Sequence, residues 1–250
     1  MFESSLPYEN TELMLLSDFQ RRLDDDPHAV EVEAGATRLT SLNASLLQDL
    51  QRFDPAHRGA DGLEALEVLA AAVRHGRALL LHLQHRYRVI PLTVFPADGA
   101  MHCVLPLEQL LALELSDLRV LHVEPARLRP PGAGAAHRGE TRHDAKLGPL
   151  LWELALRGAR EDLLPEIAGP AAYRVAPGSM LEGLALSGTL AAAVARLRRQ
   201  ACGLREIAAW PGFDRERAMR LLNALYLQAA LMVSRSHPAA MHGDAARLPG

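Results

Sequence analysis

The feature that most constrains the fold is a long extended run in the middle of the chain, Ala78–Phe95. Leu79, Leu81 and Leu83 fall on one face of this run and His82, Gln84 and Arg86 on the other, which is the period of a strand with one buried face. Pro91 must then lie at a sheet edge or a bend. Helical patterns at residues 63–75 and 107–115 precede and follow this run. The pattern predicts an α+β fold, with a mixed sheet and helices packed on one face, rather than a doubly wound parallel sheet.

The core of such a chain is aliphatic. The 250 residues include 46 Leu and 41 Ala but only 5 Phe, 4 Tyr and 2 Trp, a composition that favours helix and is typical of high-GC bacteria. The cysteines, Cys103 and Cys202, are far apart in sequence, so we predict buried thiols rather than a disulfide. No basic-then-apolar leader opens the sequence, and no apolar run approaches the roughly 18 residues of a membrane span. We therefore expect a cytoplasmic protein.

A Pro- and Gly-rich stretch divides the chain, because such segments rarely continue a helix or a strand. Four regions are predicted on this basis: an acidic α+β domain at 1–128, a linker at 129–145, a helical, winged-helix-like domain at 146–236, and a disordered tail at 237–250.

Net charge also differs between the two ends of the chain. Residues 1–130 carry a net −7, residues 131–186 a net −1 and residues 187–250 a net +5, which together give the total of −3. This split indicates two modules with different partners, or modules that attract each other. Lys146 is the only lysine in the sequence, so most lysine-dependent chemistry is excluded.

The most specific pattern in the chain begins near residue 188. It predicts a helix, a short second helix, a tight turn with Gly at its third position, an N-cap and a long third helix. These elements are assigned to Leu190–Gln200, Leu204–Trp210, Trp210–Phe213, Asp214 and a helix that ends near Leu231.

This order resembles the helix-turn-helix of winged-helix proteins over about thirty residues, and over 188–236 when a wing strand at 232–236 is included. Ala208, a small residue four positions before Gly212, matches the family pattern. Pro211 departs from it, since the compact turn of the family keeps a residue compatible with helix. The resemblance implies binding of DNA or of a protein, because this shape serves both.

Within this resemblance, the last helix of the pair carries the contact residues. Its outward face is predicted to hold Arg215, Arg217, Arg220 and Asn223, whose side chains suit DNA bases and phosphates or the polar groups of a protein. Glu216 lies among them, and the region contains no lysine. A strong DNA-binding stripe would be more uniformly basic.

Residue types that bind zinc occur in the predicted strands, namely His82, His85, His102, Cys103 and His122. No pair among them has the spacing of a structural metal site. We therefore predict no metal, no cofactor and no catalytic residue.

The leading hypothesis is a non-enzymatic bacterial regulatory or adaptor protein that acts through protein–protein contacts, with an N-terminal domain that binds a protein or small-ligand signal. A DNA-binding transcriptional regulator is the first alternative. An enzyme with an unrecognised site on the histidine-bearing strands is the second. The apolar run through Leu227, Ala230 and Leu231 is compatible with helix-to-helix self-association, so a homodimer also stays open.

Overall fold

The computed structural model describes residues 13–25, 63–126, 130 and 143–241. Several sequence predictions lie outside these residues. They are part of the predicted acidic domain, most of the predicted linker and the end of the predicted tail.

The elements before residue 130 are β1 (Met14–Leu15), α1 (Leu16–Asp25), β2 (Leu63–Glu64), α2 (Ala65–His75), β3 (Leu79–His85), β4 (Arg88–Phe95), β5 (Ala100–Cys103), α3 (Leu107–Ala112) and β6 (Arg119–Pro125). The described residues of this part also form two short 3₁₀ turns, Pro96–Asp98 and Leu115–Asp117.

The elements after residue 142 are β7 (His143–Lys146), α4 (Leu147–Arg157), β8 (Ala172–Val175), α5 (Gly188–Arg199), β9 (Cys202–Gly203), α6 (Leu204–Ala208), α7 (Arg215–Leu227), β10 (Leu231–Ser234) and α8 (Pro238–Met241).

The larger sheet has the strand order β2-β6-β3-β4-β5-β7, and β1 pairs with the start of β4. The predicted α+β class is confirmed. The expectation of a mixed sheet is wrong, since every pairing between the described strands of this sheet is antiparallel. Short turns join β3 to β4 and β4 to β5, and such connections permit only antiparallel neighbours.

The extended run predicted at 78–95 is a hairpin rather than one strand. His85 pairs with Arg88 at its tip, and Arg86 has a φ of 55°. Pro91 faces His82 of β3, while neither β1 nor β5 pairs with it on the other side. The proline therefore interrupts no ladder there, which agrees with its predicted place at an edge or bend.

A single hydrophobic core runs through the described residues, and α4 lies at its centre. Met101 of the larger sheet, Trp152 of α4 and Leu221 of α7 all belong to it, and each is completely buried. Helix α4 contacts α2, α3 and β5 as well as α7. The core thus extends across the boundary that separates the two predicted domains.

Polar contacts cross the same boundary. Arg160 donates to Glu64 at 2.9 Å, and Arg74 pairs with Glu166. Residues 143–145, the end of the predicted linker, lie in β7 and pair with β5. The division into domains stays a prediction, but the described parts on its two sides are packed together.

The smaller sheet has the order β10-β8-β9 and is also antiparallel. Its strand at 231–234 agrees with the wing strand predicted at 232–236. Residues 238–241, at the start of the predicted tail, form the short helix α8. Across the described ranges, no helix combines the length and apolar character that a membrane crossing requires.

The hairpin tip yields a test of local strain. Arg86 adopts a left-handed backbone conformation that favours glycine, so R86G should raise the free energy of unfolding by about 0.5–1 kcal/mol in urea denaturation. Y87G, which places glycine beside it without relieving a positive φ, is the matched control and should not stabilise. An R86G protein no more stable than wild type would show that the tip is unstrained.

Candidate partner-binding surface around the turn at Gly212

The turn between α6 and α7 packs on the start of α5. The Phe213 N–H donates to the Trp210 carbonyl at 2.9 Å, and Gly212 has a φ of 75°, as the predicted turn requires. A Cβ on Gly212 would lie 2.9 Å from the Thr189 methyl carbon. Glycine is needed here both for its backbone conformation and for the close approach of α5.

Two arginines lie over the aromatic rings of this turn. The guanidinium carbon of Arg196 is 4.6 Å from the centroid of the Trp210 ring, and that of Arg217 is 5.2 Å from the Phe213 ring. The two rings meet edge to face with centroids 6.2 Å apart. These cation–π contacts favour one position for each guanidinium group at the protein surface.

Arg217 also ties the turn to both of its neighbouring helices. Its guanidinium donates to the Gly212 carbonyl at 2.7 Å and to the Thr189 hydroxyl at 2.8 Å. Its backbone N–H donates to the Asp214 carboxylate at 2.7 Å, which confirms the predicted N-cap. The exposed side chain of Arg217 is therefore largely committed to internal contacts.

Arg220 stabilises the end of α4. Its guanidinium donates to the carbonyls of Leu156 and Gly158 at 3.2 and 2.7 Å, and to the Glu216 carboxylate at 2.8 Å. The carbonyls at a helix end need such donors. Most of the hydrogen-bonding capacity of Arg220 is thus used inside the protein.

Asn223 does not face outward as predicted. Its side chain is 0% exposed, its carbonyl oxygen accepts from the Leu164 N–H at 2.9 Å, and its amide donates to the Asp162 carbonyl at 2.9 Å. The segment that carries these groups covers the side of α7 opposite its apolar stripe. Asn223 fastens that segment to α7 and lies beyond the reach of a partner.

The four predicted contact residues therefore do not share one surface. Arg215 and Arg217 lie at the exposed first turn of α7, whereas Arg220 and Asn223 are engaged further along the helix. Sequence reasoning missed that Arg196, which lies over the buried Trp210 ring, also belongs to this surface. The aromatic residues flanking the turn were the available signal.

Further exposed arginines lie on β8, on α5 and α6, and at the start of α7. None of the following makes an ion pair with another residue of the described ranges: Arg174, Arg198, Arg199, Arg205 and Arg215. Carboxylates are interspersed with them, since Glu206 pairs with Arg196 and Glu216 with Arg220. We call these five residues, with Arg196 and Arg217, the arginine surface.

A second polar cluster lies on the outer face of the larger sheet. His82 and His122 are directly opposed on β3 and β6, and their ring nitrogens lie 3.8 and 3.9 Å from one Glu124 oxygen. Phe19 of α1 packs on the His82 ring with centroids 4.7 Å apart. Burial, and secondarily His122, lowers the pKa of His82 to about 4, and burial also lowers the pKa of His122. Both imidazoles are therefore neutral at physiological pH.

The same face continues towards β7. Thr93, His102 and Asp144 are opposed across three strands, and the His102 ring is hydrogen-bonded to Asp144. Cys103 points the other way into the core, where burial raises its thiol pKa to about 11. Both cysteines are buried, as predicted. Within the described ranges, no group of three His, Cys, Asp or Glu side chains is arranged to hold a metal ion.

No protein-family model, curated protein or solved structure matches this chain. The resemblance to winged-helix proteins therefore stays a prediction.

The buried amide of Asn223 provides a stability test. N223A removes both its hydrogen bonds and leaves a buried N–H and carbonyl without partners, so it should lower the free energy of unfolding by about 2–4 kcal/mol. R215A, on the exposed turn of the same helix, should change it by less than about 0.5 kcal/mol. Equal urea midpoints for the two variants would contradict the role assigned to Asn223.

The histidine pair provides a pH test. Because the folded-state pKa of His82 is about 4, below the value of about 6.5 in an unfolded chain, the unfolded state binds more protons between these pH values. Stability should fall as the pH drops through that window, by about 2 kcal/mol from His82 alone between pH 7 and pH 5.

Urea denaturation across this pH range, with H82Q for comparison, measures that contribution. H82Q should flatten the loss of stability, whereas H143Q, which removes an exposed imidazole, should retain it. An unchanged slope in H82Q would show that His82 is not the group responsible.

Proposed function

We propose that this protein is a non-enzymatic regulatory or adaptor protein of the cytoplasm, and that its C-terminal part acts by binding another protein. The observation that carries the proposal is the burial of α7 beyond its first turn. Arg220 and Asn223 make internal contacts there. A helix enclosed in this way holds the neighbouring turn in place, and it cannot insert into a groove of a binding partner.

The exposed start of α7 also favours a protein partner over DNA. Arg217 is engaged by Gly212 and Thr189, which leaves Arg215 as the predicted contact residue whose side chain makes no hydrogen bond or ion pair with the described residues. Glu206 and Glu216 are exposed among the arginines. A continuous phosphate backbone would meet these carboxylates with repulsion, whereas a protein presents separate charges that can fit between them.

The arginine surface is suited to carboxylates of an acidic protein. Arg196 is already held on the Trp210 ring, so binding costs it less side-chain entropy than it costs a free arginine. The flat guanidinium edge pairs with a carboxylate through two hydrogen bonds. Such charges also speed the encounter with an oppositely charged partner.

The N-terminal part would supply the regulatory input in this proposal. Arg157 at the end of α4 donates to the carbonyls of Leu111 and Leu113 near α3, and Arg220 of α7 holds the same end of α4. A ligand or protein that displaces α3 would therefore shift the end of α4, and this end is bonded to Arg220 of α7. The free thiols of Cys103 and Cys202 suit a reducing cytoplasm.

A DNA-binding regulator is the second candidate. It is favoured by the exposed arginines that have no described acidic partner and by the position of Arg215 at the start of the second helix of the predicted pair.

Charge reversal separates the two candidates. We expect immobilised wild-type protein to capture a defined partner from bacterial extract, and R198E/R199E/R215E to lose it, because these arginines lie on the arginine surface. R21E/R22E reverses exposed arginines on α1 and is the control that should retain the partner. All variants are compared at equal folded fraction.

The same proteins are titrated into a labelled mixed-sequence DNA duplex at about 50 mM salt, followed by fluorescence anisotropy. We expect no saturable binding. Saturable binding that weakens with salt and is lost in the triple variant would contradict the adaptor proposal and support the DNA-binding regulator.

A further inference from the structure

The outer strand of the smaller sheet has an open edge. β10 pairs with β8 on one side, and within the described ranges no strand pairs with its other side. Edge strands are commonly protected by a charge, a proline or a bulge. The β10 sequence, Leu-Met-Val-Ser, contains neither a charged residue nor a proline, and its ladder with β8 is regular.

The register of β10 shows which backbone groups face this edge. Ala176 donates its N–H to the Ala230 carbonyl at 2.8 Å, and Met232 is paired with Arg174 two residues further along. Because hydrogen bonding alternates along an antiparallel pair, Met232 bonds to β8. The N–H and C=O groups of Leu231 and Val233 therefore point away from the sheet.

The side chains add an apolar surface beside these groups. Met232 is 52% exposed, whereas Leu231 and Val233 pack against the core and hold the strand in place. The next residue with charge, Arg235, is folded back, and its guanidinium donates to the Ala168 carbonyl at 2.9 Å. The edge is thus ordered, uncharged and apolar at its centre.

We propose that β10 pairs in antiparallel fashion with β10 of a second copy of this chain, so that the two three-stranded sheets become one continuous sheet. In this register Leu231 lies opposite the partner's Val233, and the outward groups of both chains form about four hydrogen bonds. Met232 lies on the two-fold axis, in a non-hydrogen-bonded pair with the partner's Met232. The exposed methionine is buried by its own copy.

A second copy fits this edge because the edge is self-complementary. The outward N–H and C=O groups belong to Leu231 and Val233, which lie on either side of Met232, as a two-fold axis through Met232 requires. The two β10 strands carry no charged residues, so no like charges meet across this axis. The alternative route to a homodimer, through the apolar run after α7, is not available. Leu227 and Ala230 are buried in their own chain, at 4% and 0% exposure.

Cysteine cross-linking tests the axis directly. The native cysteines are buried, so M232C introduces one accessible thiol that faces its copy within the range of a disulfide. We expect M232C to form a disulfide-linked dimer under mild oxidation at least about tenfold faster than M180C. Met180 is 80% exposed but lies outside the strand, which makes M180C the matched control.

Light scattering after size exclusion measures the assembly without a cross-link. Wild type and M180E should have twice the mass of the chain at about 50 μM, and M232E, which opposes two carboxylates on the axis, should have the mass of one chain with an unchanged circular dichroism spectrum. A monomeric wild type, or a dimer that M232E leaves intact while M232C fails to link, would overturn the proposal. Either result leaves the protein-binding role assigned to Arg198, Arg199 and Arg215 untouched, since none of these residues is paired with β10.

Discussion

The rest of the structure depends on the burial of α4 between the larger sheet and α7. Trp152 of α4 is completely enclosed, and the carbonyls at the end of this helix are bonded by Arg220 of α7. A helix packed on two sides can bury all its apolar side chains only if both neighbours stay in place. The sheet layer and the C-terminal helices are therefore parts of one core. The turn at Gly212 presents its arginines from the exposed end of that core.

This arrangement explains why polar residues on one helix have different tasks. Arg215 and the first turn of α7 lie where the core ends, so they are exposed. Asn223 lies two turns further along and is needed to bond the segment around Leu164 that closes the core. Beyond its first turn, α7 is buried and its polar groups make internal contacts. The groups that remain on the surface are the stacked arginines, the first turn of α7 and the open edge of β10.

Local signals in the sequence were sufficient for most elements of the C-terminal part, although α7 ends at Leu227 rather than near Leu231 as predicted, because residues 231–234 form β10. The glycine of the turn, the Asp214 cap and the strand after α7 each depend on a few neighbouring residues, and the structure contains all of them. Asn223 was placed wrongly because helical periodicity assigns a polar residue to the outside. Asn223 is buried because it bonds to a segment near Leu164, some sixty residues earlier in the chain, and helical periodicity carries no information about that segment.

The hairpin at Arg86 was missed for another reason, since no glycine or asparagine marks its turn. The pairing of His82 with His122 could not be predicted either. It depends on the register between β3 and β6, and this register shifts between His82 and Leu83.

Amide hydrogen exchange of α7, measured with and without an excess of duplex DNA, tests the central claim most directly. If α7 is an enclosed structural helix, its amides from Ala218 to Leu227 exchange as slowly as the slowest in the protein, and DNA leaves their rates unchanged. Fast exchange in that stretch that slows when DNA is added would contradict the account, because it would show an exposed helix that a nucleic acid covers.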